Sequence, residues 1–310
     1  MRKVTQQEFG GPEVLRVVEV DRPVPGPTEV LVRVRAAGLN PVDWKSRARE
    51  VFLGTPPYSV GWDVSGVVEE AGFGATGATG VAVGDEVLGM PWFPREAGAY
   101  AEYVTAPSRH FVRKPKALSH AEAAGLPLAG LTAWQALVDV ADVRPGQRVL
   151  VDAAAGGVGH LAVQIAKARG AHVLGAASAP KHDFLRSLGV DEPVDYRDPD
   201  AEVGDLDLVL GLVGEPSDLR WLPSVKPGGL LVAIPGGVAD SVVAAAAERG
   251  VRTAPMVVEP DQVGLLGLVA LVEAGKLRVH VDQEFPLTEA GKAHEVGESG
   301  RVTGKLVLTI

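Results

Sequence analysis

The stretch Val149-Leu150-Val151-Asp152-Ala153-Ala154-Ala155-Gly156-Gly157-Val158-Gly159 constrains this chain more than any other. An apolar strand runs into a turn of small residues and then into a helical pattern over residues 157–169. Gly156 and Gly157 let the backbone turn tightly and approach a pyrophosphate. Gly159 permits close helix–strand packing, and the helix N-terminus offers free N–H groups and the positive end of its dipole. The strict G-x-G-x-x-G spacing is not met; the form here is A-x-x-G-x-x-G, through Ala153, Gly156 and Gly159. The bland alternative is a tight turn that merely uses small residues. The strand before it and the helix after it favour dinucleotide binding.

Strand and helix alternate around this turn. Residues 147–153, 171–176, 206–210 and 229–234 are apolar enough for buried strands, with helical patterns at 157–169, 181–188, 215–224 and 240–249. That alternation predicts a doubly wound parallel sheet of Rossmann-like α/β type with right-handed crossovers. The domain is expected over 119–256, opening at Ser119, a helix N-cap with Glu122 at capping-box spacing. Residues 1–110 read as β, punctuated by Gly and Pro. After an apolar helix at 261–274, capped by Asp261 and stopped by Gly275, the last segment returns to mixed style. The expectation is an insertion: 1–118 plus 257–310 form one β-rich domain around the 119–256 domain. The chain's 310 residues suit two domains at roughly 150 residues each.

The end of the second strand selects the cofactor. An NAD site expects an acid there to hold the ribose 2′-hydroxyl. The sequence is Ala176-Ala177-Ser178-Ala179-Pro180-Lys181-His182, with no acid before Asp183 and with Arg186 beyond. A hydroxyl and a cation suit a 2′-phosphate, and Lys181 is otherwise a mild misfit at a helix start. The expected cofactor is NADPH.

Composition narrows the rest. The net charge of −9 argues against a nucleic-acid or anionic-membrane partner. Cysteine is absent, so disulfides and thiolate metal sites are excluded. The longest stretch free of Asp, Glu, Lys and Arg spans 16 residues, 123–138, short of the ~20 a membrane helix needs. No secretory segment opens the chain, so a soluble cytoplasmic protein is expected. The histidines show no close i, i+4 ligand pair.

Further segments extend these readings over nearly the whole chain. They include Ala36-Ala37-Gly38-Leu39-Asn40-Pro41-Val42-Asp43, Gly61-Trp62-Asp63-Val64-Ser65-Gly66, Gly98-Ala99-Tyr100-Ala101-Glu102-Tyr103-Val104 and Thr303-Gly304-Lys305-Leu306-Val307-Leu308. In order and spacing the chain resembles the medium-chain dehydrogenase/reductase superfamily, in its zinc-independent quinone oxidoreductase branch. The resemblance implies a GroES-like catalytic domain around the Rossmann domain and a reductase acting on quinones or on the C=C bond of α,β-unsaturated carbonyls. Zinc-dependent relatives place Cys where Asn40 stands and His where Trp62 stands, so no metal is expected. Similar NADPH-using members surround the 2′-phosphate with residues matching Ser178, Lys181 and Tyr196. The family pattern also sets the cofactor against Thr132, the turn residues Ala155, Gly156, Gly157 and Val158, and the later loops at Leu212, Val213, Pro235 and Gly236. A homodimer joined along the Rossmann sheet edge, at the apolar segment after Gly250, is implied as well. A non-catalytic NADPH-binding sensor or structural protein is the competing class.

Hydride addition builds negative charge on a carbonyl oxygen, which must be stabilised, and a proton must arrive. The expected catalytic residues are Asn40, Lys45 and Tyr58. Asn40 either donates its amide to a carbonyl, holds the nicotinamide ribose, or is the turn residue that Asn-Pro favours. Lys45 is either an oxyanion partner or a surface cation, and Tyr58 either donates a hydrogen bond or packs. Asp43, Trp62, Trp92 and Phe93 are expected around the substrate, Asp43 as an anchor because buried carboxylates are usually paired. Asp63 is expected to brace the loop. Water is a sufficient proton source.

Overall fold

A computed structural model describes every residue except 76–79, 199–200, 202 and 235. In chain order the first elements are β1 (Arg2–Thr5), β2 (Arg16–Glu19), β3 (Glu29–Gly38), α1 (Pro41–Ala48), β4 (Val64–Ala71), β5 (Glu86–Gly89), β6 (Tyr103–Pro107) and β7 (Phe111–Arg113). Then come α2 (His120–Ala124), α3 (Pro127–Trp134), β8 (Arg148–Val151), α4 (Gly159–Ala168), β9 (His172–Ala177), α5 (His182–Ser187), β10 (Glu192–Asp195) and β11 (Leu206–Gly211). The last are α6 (Glu215–Trp221), β12 (Val225–Ala233), α7 (Asp240–Glu248), β13 (Arg252–Pro255), α8 (Gln262–Glu273), β14 (Val281–Pro286), α9 (Ala290–Glu298) and β15 (Lys305–Thr309). None of the helices is long and apolar enough to cross a membrane among the described residues.

The chain divides into two compact units. The first holds Met1–Leu131, Glu259–Glu273 and Val279–Ile310; the second holds Thr132–Val258 and Ala274–Arg278. In the first, a seven-stranded sheet runs β14-β15-β3-β4-β5-β7, with β6 also paired to β3. β15 lies antiparallel to β3, Val307 opposite Gly38, so the end of the chain completes the sheet its beginning starts. Leu39, Tyr100, Phe285, Leu306 and Leu308 share one core. In the second unit six parallel strands run β10-β9-β8-β11-β12-β13. Their core is Leu150, Leu174, Val209, Trp221, Leu231 and their neighbours.

The sequence reading differs from this structure in particular places. The first division falls at Leu131, not at 118. The helix capped by Ser119 and Glu122 belongs to the first unit, because Ala124 is buried with Ala36 and Val307. Residues 274–278 return to the second unit. Gln164 explains the return: its amide accepts from Arg278 N at 2.9 Å and donates to Arg278 O at 3.0 Å. The all-β reading of 1–110 misses α1. Pro41 occupies its first turn and Asp43 accepts from the Asn40 amide at 2.6 Å, which starts a helix where Asn-Pro suggested only a turn. The expected caps at Ser119 and Asp261 are formed, and Gly275 ends α8 at φ +66°.

Candidate active site

The order of the parallel sheet sets a binding place. From β8 the chain winds outward through β9 and β10; from β11 it winds the other way through β12 and β13. The order reverses between β8 and β11, and ligands of open α/β sheets bind beyond the carboxyl ends of strands at such a reversal. The glycine turn leaves β8 at this point. Ala153, at the first position of the motif, adopts φ +44°. A Cβ on Gly159 would lie 2.3 Å from Ala153 O, so only glycine allows α4 this close to its strand. The Gly157 and Val158 amides, at the start of α4, have no hydrogen-bond acceptor among the described residues. Ala155 is buried beside them. His160, fully buried, bonds through Nδ1 to Gly156 O at 2.9 Å and braces the turn.

One register pair carries the next part. Asp195 of β10 lies opposite Ala177 of β9, so Ser178 and Tyr196 leave adjacent strands side by side. Lys181 follows within the same turn. The nearby acid, Asp195, is committed to the backbone, accepting from Ala179 N at 3.2 Å and Arg197 N at 2.9 Å. The Arg197 amide bond holds its carboxyl below the usual range, with help from Ala179. Beyond β11 lie half-buried Leu212 and exposed Val213, and beyond β12 lies exposed Gly236 at φ +74°. Thr132 is buried in α3. Pro235 lies outside the described residues. The free amides and the close Gly159 packing fit a dinucleotide pyrophosphate, and the hydroxyl-and-cation corner fits a 2′-phosphate.

The first unit holds a buried polar network. Asn40 Nδ2 donates to Asp63 Oδ2 at 2.8 Å, and Asn40 Oδ1 accepts from Lys305 Nζ at 2.5 Å. Lys305 also donates to Leu39 O at 2.6 Å and stands 3.5 Å from Asp63. Asp63 Oδ1 accepts from Leu128 N at 2.7 Å. Burial raises the Asp63 carboxyl and lowers the Lys305 ammonium, and each opposes the shift of the other. Asp43 accepts from Asn40 N and, at 3.1 Å, from Gly61 N. Burial pushes Asp43 up to about 7, against the Asn40 amide bond. Arg47 can only donate to His294 Nδ1, 3.4 Å away. The other ring nitrogen, Nε2, is therefore the protonated one and donates to Tyr100 Oη at 3.2 Å. Burial, then Arg47, lowers His294 to about 3, so it stays neutral.

The expected site residues separate here. Asn40 and Asp43 sit in the network, Asp43 accepting from the Asn40 and Gly61 amides. Lys45, on the same helix, is exposed, because helix periodicity buries Asp43, Ser46 and Arg47 instead. Tyr58 packs: its hydroxyl donates to Ser46 O at 2.6 Å. Trp62 is fully buried, donates to Arg95 O at 2.6 Å and stacks edge-on with Phe93 at 5.4 Å. Trp92 does not join that aromatic pair. At φ +57° it turns toward β6, donates to Thr105 O at 2.8 Å and lines a separate cavity of about 320 Å³ with Lys3 and Tyr103.

The pattern of the "Alcohol dehydrogenase GroES-like domain" matches residues 26–116, and that of the "Zinc-binding dehydrogenase" matches residues 188–308. A chloroplast envelope quinone oxidoreductase homolog of Arabidopsis thaliana is 32% identical over 96% of this chain and 95% of its own length. The chain belongs to the quinone oxidoreductases of the medium-chain dehydrogenase/reductase superfamily. A trans-enoyl reductase of Aspergillus terreus is 34% identical over 92% of this chain and 87% of its own. Among solved structures, the Coxiella burnetii quinone oxidoreductase superposes with a TM-score of 0.93 at 37% identity, covering 100% of this chain and 99% of its own. The Escherichia coli quinone oxidoreductase complexed with NADPH gives 0.89 at 27% identity, covering 100% of each chain.

Within this quinone oxidoreductase the donor set near Asn40 does not suit zinc. An indole nitrogen that already donates cannot ligate, and the Lys305 ammonium holds the Asn40 oxygen a cation would require. The network also holds Lys305, Tyr100 and His294, which were not among the residues expected at the site. Lys305 follows Gly304 in the final strand, and only the β15–β3 pairing brings it beneath Asn40. A basic residue directly before the apolar run Leu306-Val307-Leu308 is the available signal.

Proposed function

We propose that this protein is an NADPH-dependent reductase of quinones or of the C=C bond of α,β-unsaturated carbonyls, working without a metal ion in the cytoplasm as a homodimer. The observation that carries the reading is the pairing of the A-x-x-G-x-x-G turn with the Ser178–Lys181–Tyr196 corner at one end of a 3-2-1-4-5-6 sheet. When bound, NADPH supplies a hydride. The Gly157 and Val158 amides and the α4 N-terminus hold its pyrophosphate. Ser178, Lys181 and Tyr196 hold its 2′-phosphate, and Thr132, Leu212, Val213 and Gly236 line the rest. Asn40 donates an N–H to the substrate oxygen as negative charge grows there. Asp43 keeps α1 and the 61–63 loop in place, Trp62 and Phe93 give an apolar wall, and water delivers the proton. The reading is supported by the trans-enoyl reductase and quinone oxidoreductase relatives.

β13 is an edge strand with Val257 exposed just beyond it. Such an edge pairs readily with a second copy. The test of the reaction is isotopic. NADPH deuterated at nicotinamide C4 should place deuterium on the β-carbon of a reduced enone. A product that carries no deuterium from the cofactor would overturn the reading.

A further inference from the structure

The Asn40 carboxamide is held by groups that leave it one orientation. Lys305 Nζ donates to Oδ1 at 2.5 Å, and Asp63 accepts from Nδ2 at 2.8 Å. An ammonium has no acceptor and an ionised carboxylate has no donor. A flipped amide would set donor against donor and acceptor against acceptor. Donors face both Asp63 oxygens, Leu128 N at 2.7 Å and Lys305 Nζ at 3.5 Å, so both are set to accept. Lys305 is itself fixed by Leu39 O at 2.6 Å and is only 2% exposed.

A carboxamide carries two N–H bonds. Asp63 takes one, and the other has no acceptor among the described residues. We infer that Lys305 is a positioning residue: it locks the Asn40 amide so that this remaining N–H is preset toward the carbonyl oxygen of the substrate. The inference rests on the reductase reading for the substrate and on geometry alone for the lock. The ammonium also withdraws charge through Oδ1, which strengthens the free N–H as a donor. A donor fixed beforehand costs no reorganisation when charge develops, and removal of one such donor costs about 100-fold or more in kcat.

The test has a built-in probe, because Asn40 is the chain's single asparagine. Protein labelled with 15N-asparagine should show one side-chain amide pair, widely split in proton shift and slow to exchange with solvent, in the absence of any ligand. Lys305→Met should narrow the shift difference of that pair and speed its exchange with solvent. In turnover, Asn40→Ala should lower kcat about 100-fold and Lys305→Met about 10-fold or more, with NADPH affinity within about twofold of wild type. In the Asn40→Ala background, Lys305→Met should add less than about threefold, since it acts through Asn40. Lys305→Gln keeps the side-chain length, removes the charge and repeats both measurements should Lys305→Met fail to fold. An unchanged amide pair in the variant, or equal losses of kcat in both backgrounds, would overturn the inference. Wild-type protein that reduces neither quinone nor enone would instead overturn the reductase reading, while the amide spectrum would still judge the lock.

Discussion

Ala177 and Asp195 are register partners in adjacent parallel strands, and that pairing sets Ser178 beside Tyr196. The two residues are 18 apart in sequence and leave their strands at the same level. In the reading proposed above, the corner they form with Lys181 takes the one phosphate on the adenosine ribose by which NADPH and NADH differ.

Substitution of that corner should therefore separate NADPH from NADH. A charge-assisted bond is worth about 1.5–3 kcal/mol, so Lys181→Ala should weaken NADPH binding roughly 10- to 100-fold and leave NADH nearly unchanged. Ser178→Ala should act in the same direction and less strongly. Fluorescence titration of both cofactors measures this. Equal weakening of both would assign Lys181 a structural role.

The glycine turn gives two opposed expectations. Gly159→Ala places a methyl 2.3 Å from Ala153 O, so the turn must open. Stability should fall by several kcal/mol, and NADPH binding should go with it. Ala153→Gly removes a side chain from a residue at φ +44°, where an L-residue costs about 1–2 kcal/mol. Its melting temperature should stay level or rise despite the extra unfolded-state entropy. A lower melting temperature for Ala153→Gly than for Gly159→Ala would contradict the turn geometry.

Asp218 and Asp152 make stability depend on pH. Each has a buried carboxyl oxygen without a partner among the described residues. Burial, then the Asp152 charge, raises Asp218 to about 6 from an ordinary 3.8. Its folded pKa lies above its unfolded one, so the native state binds the extra proton between these values. Stability falls as pH rises from about 4 to 6 and stays reduced above. At about 1.4 kcal/mol per unit the loss is at most roughly 3 kcal/mol. Asp218→Asn should raise the melting temperature at pH 7 more than at pH 4. An equal shift at both would show that Asp218 titrates normally in the folded chain.

Light scattering tests the edge strand. The expected mass is twice 32.3 kDa, and replacing Ala254 in β13 by Lys should shift it toward the monomer. A monomer in the wild type would remove the dimer from the account.

Much of the nucleotide-binding unit was legible because local patterns fix it. Apolar runs of strand length, the small-residue turn and the caps at Ser119 and Asp261 are all short-range signals. β10 escaped notice since Glu192-Pro193-Val194-Asp195 is neither alternating nor apolar; its pairing with β9 makes it a strand. The network under Asn40 was hidden for a different reason. Asn40 and Lys305 are 265 residues apart, and nothing local to either one announces the other. Lys45 looked eligible on composition alone, and the phase of α1 decides against it.

The most direct measurement follows NADPH and NADH consumption by absorbance, with phenanthrenequinone and with a small enone as acceptors. The account predicts turnover of at least one acceptor with NADPH, and a kcat/KM for NADPH well above that for NADH. Failure to bind NADPH, or a preference for NADH, would contradict it.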